Sequence, residues 1–575
     1  MLDAALVAAL AIGLSAISVP IFFPTHDDWI VQHMFSGALA GEPVPHVPFM
    51  GYPLCWVVSE LYAISPDIPW WTLLHFVVIF VSLLVAGLVT LRMLAARKVK
   101  LRRAKTLALL FVAEFGPAMP LVDRLHFTTT GSLVVSVAVY AAVAQMLLCE
   151  RNPNAIDGDA PRVLAWPVIA AFMTLGYLYR AQCGYIAMGF WAICLFVAWL
   201  YARRRGNSLR GVRRIWLPFA VSCLAIAACL GIQTAVYSTP EWEATFELGD
   251  PHSAFVDYPS TPYNEDPELY ESVGWDETLY DITSGYWFIL DPRITGLALE
   301  TINAHNDWGM RQLVEEPGVA LRERLSEMKQ PVATAYLVVL IGAAGVGTLY
   351  CGERRYRAVI WMTLAAAIVL LGFLFVRGRL PLRAFLSVAL PALAVIGAVV
   401  LACGGRPSVP RGDMVLQRCL APMLCGLILL FPAMSAVFQY GYTSEDGLEQ
   451  IGRQPDIDAF EQYASDHPNE LFIYDYWAEL TPQTVWDTNW PPNATQWGGL
   501  PYFMDWFDNI MKKQGFGGTP TTATLLEDYA LFVNKSDVTR DLLLEDMRNL
   551  YGSDINIEQV DTIGDGLRVY RFVRQ

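Results

Sequence analysis

The first residues that could do chemistry follow directly on the first apolar run. The segment "FFPTHDDWIVQHMFSGALAG" (22–41) sets His26, Asp27 and Asp28 side by side. A carboxylate can take a proton from a hydroxyl, and two together can hold a divalent cation. A plainer role is structural. Trp29, Ile30, His33, Met34 and Gly37 have the spacing of an amphipathic helix lying along a membrane interface. Thr25 or Asp27 would cap that helix, and an acid at its positive end stabilises it by about 0.3–1 kcal/mol. One acid suffices for that. A second acid beside a histidine exceeds what capping requires, so both aspartates are candidates for chemistry.

The elements that position them are spans of a membrane. The chain has 575 residues, 54% hydrophobic and 17% charged, with mean hydropathy +0.37; soluble domains carry about 25% charged residues. Eleven apolar runs are long enough to cross a bilayer: 2–23, 70–91, 106–122, 131–149, 163–180, 184–201, 215–237, 331–350, 357–376, 381–402 and 416–438. Lys and Arg concentrate at 92–105, 201–214, 351–357 and 403–418, which places those loops in the cytoplasm. The loop 239–330 holds 5 basic against 19 acidic residues, and the tail 439–575 holds 9 against 23. Both are expected outside, with the N-terminus in and the first run a retained anchor. The net charge of −15 then reflects the exported side and argues against a nucleic-acid partner.

All ten cysteines precede residue 426, so the exported parts have no disulfide framework, and no Cys/His spacing suggests structural zinc. "NAT" (493–495) and "NKS" (534–536) match the glycosylation sequon, as chance also provides. The aromatic, Pro- and Gly-broken loop 239–330 reads as an ordered lid, with Trp and Tyr along the interface. The tail reads as a small α/β domain. "DIDAFEQYASDH", "YFMDWFDNIMKKQG" and "DVTRDLLLEDMRNLYG" are helical, the last opened by an Asp cap. "ELFIYDY" and "YALFVNK" are strands, and "IEQVDTIGDGLRVYRFV" is a hairpin. The fold class is therefore an all-α polytopic bundle of about eleven transmembrane helices (1–438), with external loops 24–69 and 239–330, and a small exported α/β domain (439–575).

An acidic pair after the first span, a helix in the first external loop, many spans and an exported C-terminal domain resemble the GT-C glycosyltransferase superfamily. More narrowly, "HDDWIVQHMFSGALAGEPVPHVPFMGYPLCWVVSELYAISPDIPWW" resembles a group of uncharacterised polytopic membrane proteins of Gram-positive bacteria, which begin with a similar "NDD…SG…TG.P..H" stretch. That group also has counterparts of "HFTTTGS" (126–132), "DYP" (257–259), "ELYESVGW" (268–275) and "GRLPLR" (378–383). His26 stands where the group has asparagine. The resemblance implies an enzyme of the outer membrane face that takes a sugar from a polyprenyl-phosphate carrier, with inversion at the anomeric carbon. Its acceptor would be a cell-envelope glycan or lipid. An acid of the first external loop would serve as general base, here Asp27 or Asp28. Such a base removes the acceptor's hydroxyl proton as the glycosidic bond forms, and nearby negative charge favours the oxocarbenium-like state. Alternatively the pair would bind a divalent cation, Mg or Mn, that steadies the departing phosphate.

A departing phosphate needs cations at the same depth. Arg379 is the first choice, since Gly378 and Pro381 shape a turn around it, followed by Arg180 in "YLYRAQCGY". Arg377, Arg383 and Arg124 complete the set at the outer ends of spans, with His26 beside the acids. Arg offers a forked, always-charged donor, although Arg at a span end also snorkels to headgroups. Asp123 and His126 form a second, weaker candidate pair. His33 and His46 read as interfacial polar residues, and "NATQWGGLPYFMDW" (493–506) as core and turn chemistry or an acceptor platform. Within the spans His75 and Glu114 are the clearest ionisable groups, and Glu114 could bond backbone freed by Pro117. So few intramembrane charges lower the alternative of a lipid or glycan transporter. A non-catalytic envelope-assembly scaffold is the third reading.

Overall fold

A computed structural model of the chain describes residues 1–18, 20–99, 102–151, 164–204, 209–327, 330–403, 453–475, 478, 480, 484–564 and 566–575. The protein is mostly helical. In order come α1 (Leu2–Ser18), α2 (His26–Ser36), α3 (Tyr52–Ile64), α4 (Trp70–Ala96), α5 (Arg103–Val122) and α6 (Phe127–Arg151). They are followed by α7 (Trp166–Tyr179), α8 (Ala181–Arg204), α9 (Leu209–Val236) and α10 (Pro240–Asp257), and after five shorter helices by α16 (Gln330–Tyr350), α17 (Arg354–Val376) and α18 (Leu382–Cys403).

Among the described residues eight helices are long and apolar enough to cross a membrane: α4, α5, α6, α8, α9, α16, α17 and α18. Two expected spans are shorter. α1 has 17 residues and α7 only 14, which at 1.5 Å per residue makes α7 about 21 Å long. α7 stops because Arg180 takes an extended conformation and α8 begins at the next residue. The eleventh expected span, 416–438, and the expected domain boundary at 438 lie outside the described residues. α6 is the axis of the bundle: its apolar window is 89% buried, between α4, α7, α8 and α18.

The C-terminal domain carries a five-stranded sheet of order β2-β1-β3-β5-β4, with β1 (Leu471–Tyr474), β2 (Ala494–Gln496), β3 (Ala530–Asn534), β4 (Ile555–Ile563) and β5 (Leu567–Arg574). β2, β1 and β3 run parallel, and β5 and β4 add as an antiparallel hairpin. The central β1 and β3 are buried at every residue, as parallel strands covered on both faces are. Helix Asp537–Tyr551 is capped by Ser536, whose side chain accepts from the Thr539 N–H, and not by Asp537. β2 is the strand that the turn reading of "NATQWGG" missed. Asn493 and Asn534 are buried, and Asn493 Nδ2 donates to the carbonyls of Ala464, His467 and Glu470. Neither sequon is open to a glycan in this fold.

The segment 239–330 is folded into helices α10 and, in order, Pro267–Ser272, Glu277–Tyr286, Gly296–His305, Trp308–Glu315 and Pro317–Glu327. Arg293 ties it to the sheet domain. Its guanidinium meets Asp276 at 2.8 Å, Asp291 at 2.9 Å and Asp546 at 2.5 Å. Trp497 reinforces the contact, donating to Tyr286 O (3.0 Å) and stacking on Phe532 (5.4 Å). Its ring is a core element here and not a sugar platform.

Candidate functional site

α2 is the centre of the site, and it departs from the expected interfacial helix. Every residue from Asp28 to Ser36 is buried, so no face is left for lipid or water. Thr25 sits at the N-cap with extended backbone but makes no capping hydrogen bond. The helix ends at Gly37 (φ +83°), where a Cβ would lie 2.8 Å from the Glu42 carbonyl carbon; only glycine suits this turn. The sheet domain covers α2 from one side. Gln32 Nε2 donates to Val485 O (3.2 Å) and Asp487 O (2.6 Å), Ser36 Oγ donates to Thr488 O (2.9 Å), and Trp29 meets Trp490 edge-on at 5.2 Å. Thr72 Oγ1 of α4 is within hydrogen-bond reach of both Gln32 Oε1 and Val485 O, joining bundle, helix and domain. His33 stacks on Trp29 at 4.2 Å within this contact.

The two adjacent aspartates have opposite surroundings. Asp28 is fully buried. Its Oδ1 accepts from Trp71 Nε1 (3.2 Å) and from the Phe127 N–H (3.1 Å), with His75 Nε2 at 3.6 Å. Its Oδ2 faces His126 Nδ1 at 3.7 Å. That nitrogen already accepts the Thr128 N–H (2.9 Å), so it carries no proton to give the carboxyl. Two acceptors in apposition fit a carboxyl that carries a proton. Burial agrees, pushing Asp28 above the usual carboxylate range, while the His75 interaction pulls it back. Burial, aided by the Arg383, His75 and Arg180 environment, holds His126 well below the ordinary histidine value, so its ring is neutral. His75 Nδ1 bonds Thr130 Oγ1 at 2.7 Å.

Asp27, one residue earlier, is half-buried. Among the described residues its carboxylate has no hydrogen bond or ion pair. Its field reaches Arg180 and Asp257, and Arg180 in turn lies within the fields of Arg383 and Arg379. The break between α7 and α8 puts Arg180 at this end of the bundle, over the rings of Phe49 and Phe127 at 5.7 Å each, with a long contact to Phe49 O (3.5 Å). Arg383, in the first turn of α18, has neither ion pair nor hydrogen bond among the described residues. Arg379 pairs with Asp257 and lies 5.3 Å over the Tyr258 ring. The structure thus brings Asp27, Arg180, Arg379 and Arg383 together. Arg377 is exposed, at 5.1 Å from the Tyr258 ring centroid. Arg124 stands 5.3 Å over Phe22, to whose backbone its own strand segment bridges. His26 is held neutral, at about 4, chiefly by burial.

Asp257 and Tyr258 are site residues that composition did not single out, although "DYP" was a motif in view. Trp71, which grips Asp28, carried no sequence signal beyond an aromatic pair at a helix start. Among the described residues no three His, Cys, Asp or Glu side chains are grouped to hold a metal.

A cavity of about 600 Å³ lies elsewhere, lined by α4, α5, α6, α16 and α18. Glu114 lines it with both carboxyl oxygens unbonded among the described residues, so it does not repair the backbone at Pro117 as its position suggested. Ala86 and Thr90 line the same cavity, eleven and fifteen residues along α4 from His75, or about 16 Å and more at helical rise. It is separate from the Asp28 pocket.

No family model and no curated protein matches the chain; the likeness to the Gram-positive group rests on its motifs alone. Among solved structures the chain is similar to ArnT from Cupriavidus metallidurans bound to undecaprenyl phosphate, at 14% identity and TM-score 0.39 over 98% of this chain and 97% of that one. It is similar to the Archaeoglobus fulgidus oligosaccharyltransferase in complex with Zn and sulfate, at 12% identity and TM-score 0.44 over 93% and 67%. A complex of the archaeal oligosaccharyltransferase AglB with an inhibitory peptide and a dolichol-phosphate matches at 12% identity and TM-score 0.41 over 93% and 69%. At these scores the likeness assigns no role to any residue.

Proposed function

We propose that this protein is a membrane glycosyltransferase that moves a sugar from a polyprenyl-phosphate donor to a cell-envelope acceptor on the outer membrane face. The observation that carries the reading is the split of the acidic pair: Asp28 is bonded into the interior, while Asp27 is half-exposed, unbonded among the described residues and within the field of Arg180. An acid spared from structural work beside phosphate-binding side chains suits one reaction well. The acceptor oxygen attacks the anomeric carbon and its proton passes to Asp27. The bond from that carbon to the phosphate oxygen breaks, and its electron pair leaves on the lipid phosphate. Arg180, Arg379 and Arg383 take up that charge with forked donors. Asp28 acts as a positioning residue: its bonds to Trp71 and Phe127 hold the start of α2, and so the carboxylate of Asp27, against α4 and α6. The sheet domain fixes the rest of α2 through Gln32 and Ser36, and so belongs to the site.

The test is a profile of surface glycans and lipid-linked sugars in cells with wild type, Asp27→Asn or a deletion. The reading expects Asp27→Asn to be expressed normally, to lose the product glycan and to accumulate lipid-linked donor as the deletion does. An Asp27→Asn strain that matches wild type while the deletion has a phenotype overturns it, in favour of transport or scaffolding.

A further inference from the structure

The ion pair between Asp257 and Arg379 is placed against the grain of local electrostatics. Asp257 is the last residue of α10, where the helix's free carbonyls already carry partial negative charge and an acid is disfavoured. It is also four-fifths buried, its side chain 21% exposed. Burial raises its carboxyl above the usual range, Arg379 and Arg383 pull it back, and Asp27 raises it further. An acid in such a place needs a reason beyond the helix.

Everything around the pair is pinned. Pro259 packs where Gly378 lacks a side chain: at φ +76°, a Cβ on Gly378 would lie 2.6 Å from Pro259 Cγ. Asn306 Nδ2 donates to Pro259 O (2.9 Å), and the Arg379 N–H bonds Leu374 O (3.1 Å). The "DYP" and "RGR" backbones are thus interlocked, and Tyr258 forms a shelf under the guanidinium. What stays free is the outer part of the Arg379 side chain, 26% exposed. Arg180 and Arg383 have no carboxylate partner of this kind among the described residues. One cation of the cluster is therefore held by an internal anion, while Arg180 and Arg383 lack a carboxylate pair among the described residues.

We infer that Asp257 is a counter-ion standing in for the donor's phosphate: it keeps Arg379 on the Tyr258 shelf when the site is empty, competes with phosphate for it, and drives the lipid phosphate out after transfer. This rests on the glycosyltransferase reading and assigns Asp257 a positioning role in it. A neutral residue at 257 then lets phosphate bind more tightly and leave more slowly, so affinity and turnover move in opposite directions. A residue that only supported the fold would lower both.

The experiment measures binding of a short-chain isoprenyl phosphate to the full-length protein in detergent, with the matching isoprenol as control, alongside transfer kinetics and thermal unfolding. Asp257→Asn is expected to tighten isoprenyl-phosphate binding about tenfold and to lower kcat with a lowered KM. Asp257→Ser must shift affinity the same way, and Asp257→Glu must restore wild-type affinity. In an Arg379→Gln background most of the effect of Asp257→Asn on affinity should be lost, since the main coupled partner is gone. Unchanged or weaker binding in both neutral variants overturns the inference while leaving the glycosyltransferase reading intact. So does failure of both to reach wild-type thermal stability, which makes Asp257 a fold residue. Wild type that binds isoprenyl phosphate no better than isoprenol overturns the glycosyltransferase reading, and this inference with it.

Discussion

Two regions meet at the start of α2, one buried and bonded into the bundle and one not. Below, Asp28, Trp71, His75, Thr130 and His126 form a buried set in which Asp28 is bonded to two elements of the bundle. Above, Asp27, Arg180 and Arg383 are charged groups with few or no direct partners among the described residues. The difference teaches how one acidic pair serves two purposes. Successive residues of a helix point about 100° apart, so when Asp28 turns into the bundle, Asp27 is carried to the edge. The rigid floor holds the reactive side chain without touching it. Glu114 offers a second contrast: it too is unbonded among the described residues, but its cavity is lined mostly by apolar side chains, and an acid without cations around it has no phosphate chemistry to do.

Breaking this contrast starts with the upper region. Asp27→Asn should lower transfer by about 100-fold or more, the usual range for losing a general base, with unfolding temperature unchanged. A fall in stability instead would show that Asp27 is structural. Arg383→Gln should follow with about a tenfold loss, seen as weaker binding of isoprenyl phosphate and read by titration. The lower region should behave in the opposite way. Asp28→Ala strands the Trp71 and Phe127 donors, costing about 1–3 kcal/mol for each, measured as a lower midpoint in thermal unfolding. Asp28→Asn keeps the Oδ1 acceptor and should be milder in stability and leave most transfer activity. If Asp28→Asn abolishes transfer in a stable protein, the assignment of roles to the two acids is reversed.

Gly378→Ala tests the interlock beneath Arg379. A methyl group at φ +76° against Pro259 should cost about 1–3 kcal/mol and weaken isoprenyl-phosphate binding in parallel. A further test addresses the contact between the 239–330 segment and the sheet domain. Asp546 is raised to about 8, first by burial and then by Asp291. The folded state thus holds a proton that the unfolded chain releases near pH 3.9. Stability from this group is present in full below that value, falls as pH rises, and is lost by about pH 8. Thermal unfolding followed from pH 5 to 8 should show this slope in wild type and a flatter one in Asp546→Asn.

Much of the fold was legible because its signals are local. Eight expected spans are helices of spanning length, since an apolar run in lipid must satisfy its backbone internally. The strands at 471–474 and 530–534 and the hairpin 555–574 likewise follow from local pattern and turn residues. The errors share a cause. The helix 26–36 looked amphipathic and interfacial, but the sheet domain and the bundle cover both of its sides. For Trp497 and Asn493 the sequence left core and platform readings open, and partners hundreds and tens of residues away bury both.

By itself the sequence determined the apolar spans, the acidic pair at the end of the first one and the arginines at the ends of later ones, because residue type and spacing suffice for these. Tertiary structure alone decided which aspartate is sealed and which stands open, and that Asp257 holds Arg379. Those outcomes depend on Trp71, Phe127 and Tyr258, which meet the site only through packing. A hydrogen bond is made over about 3 Å, whatever the distance along the chain.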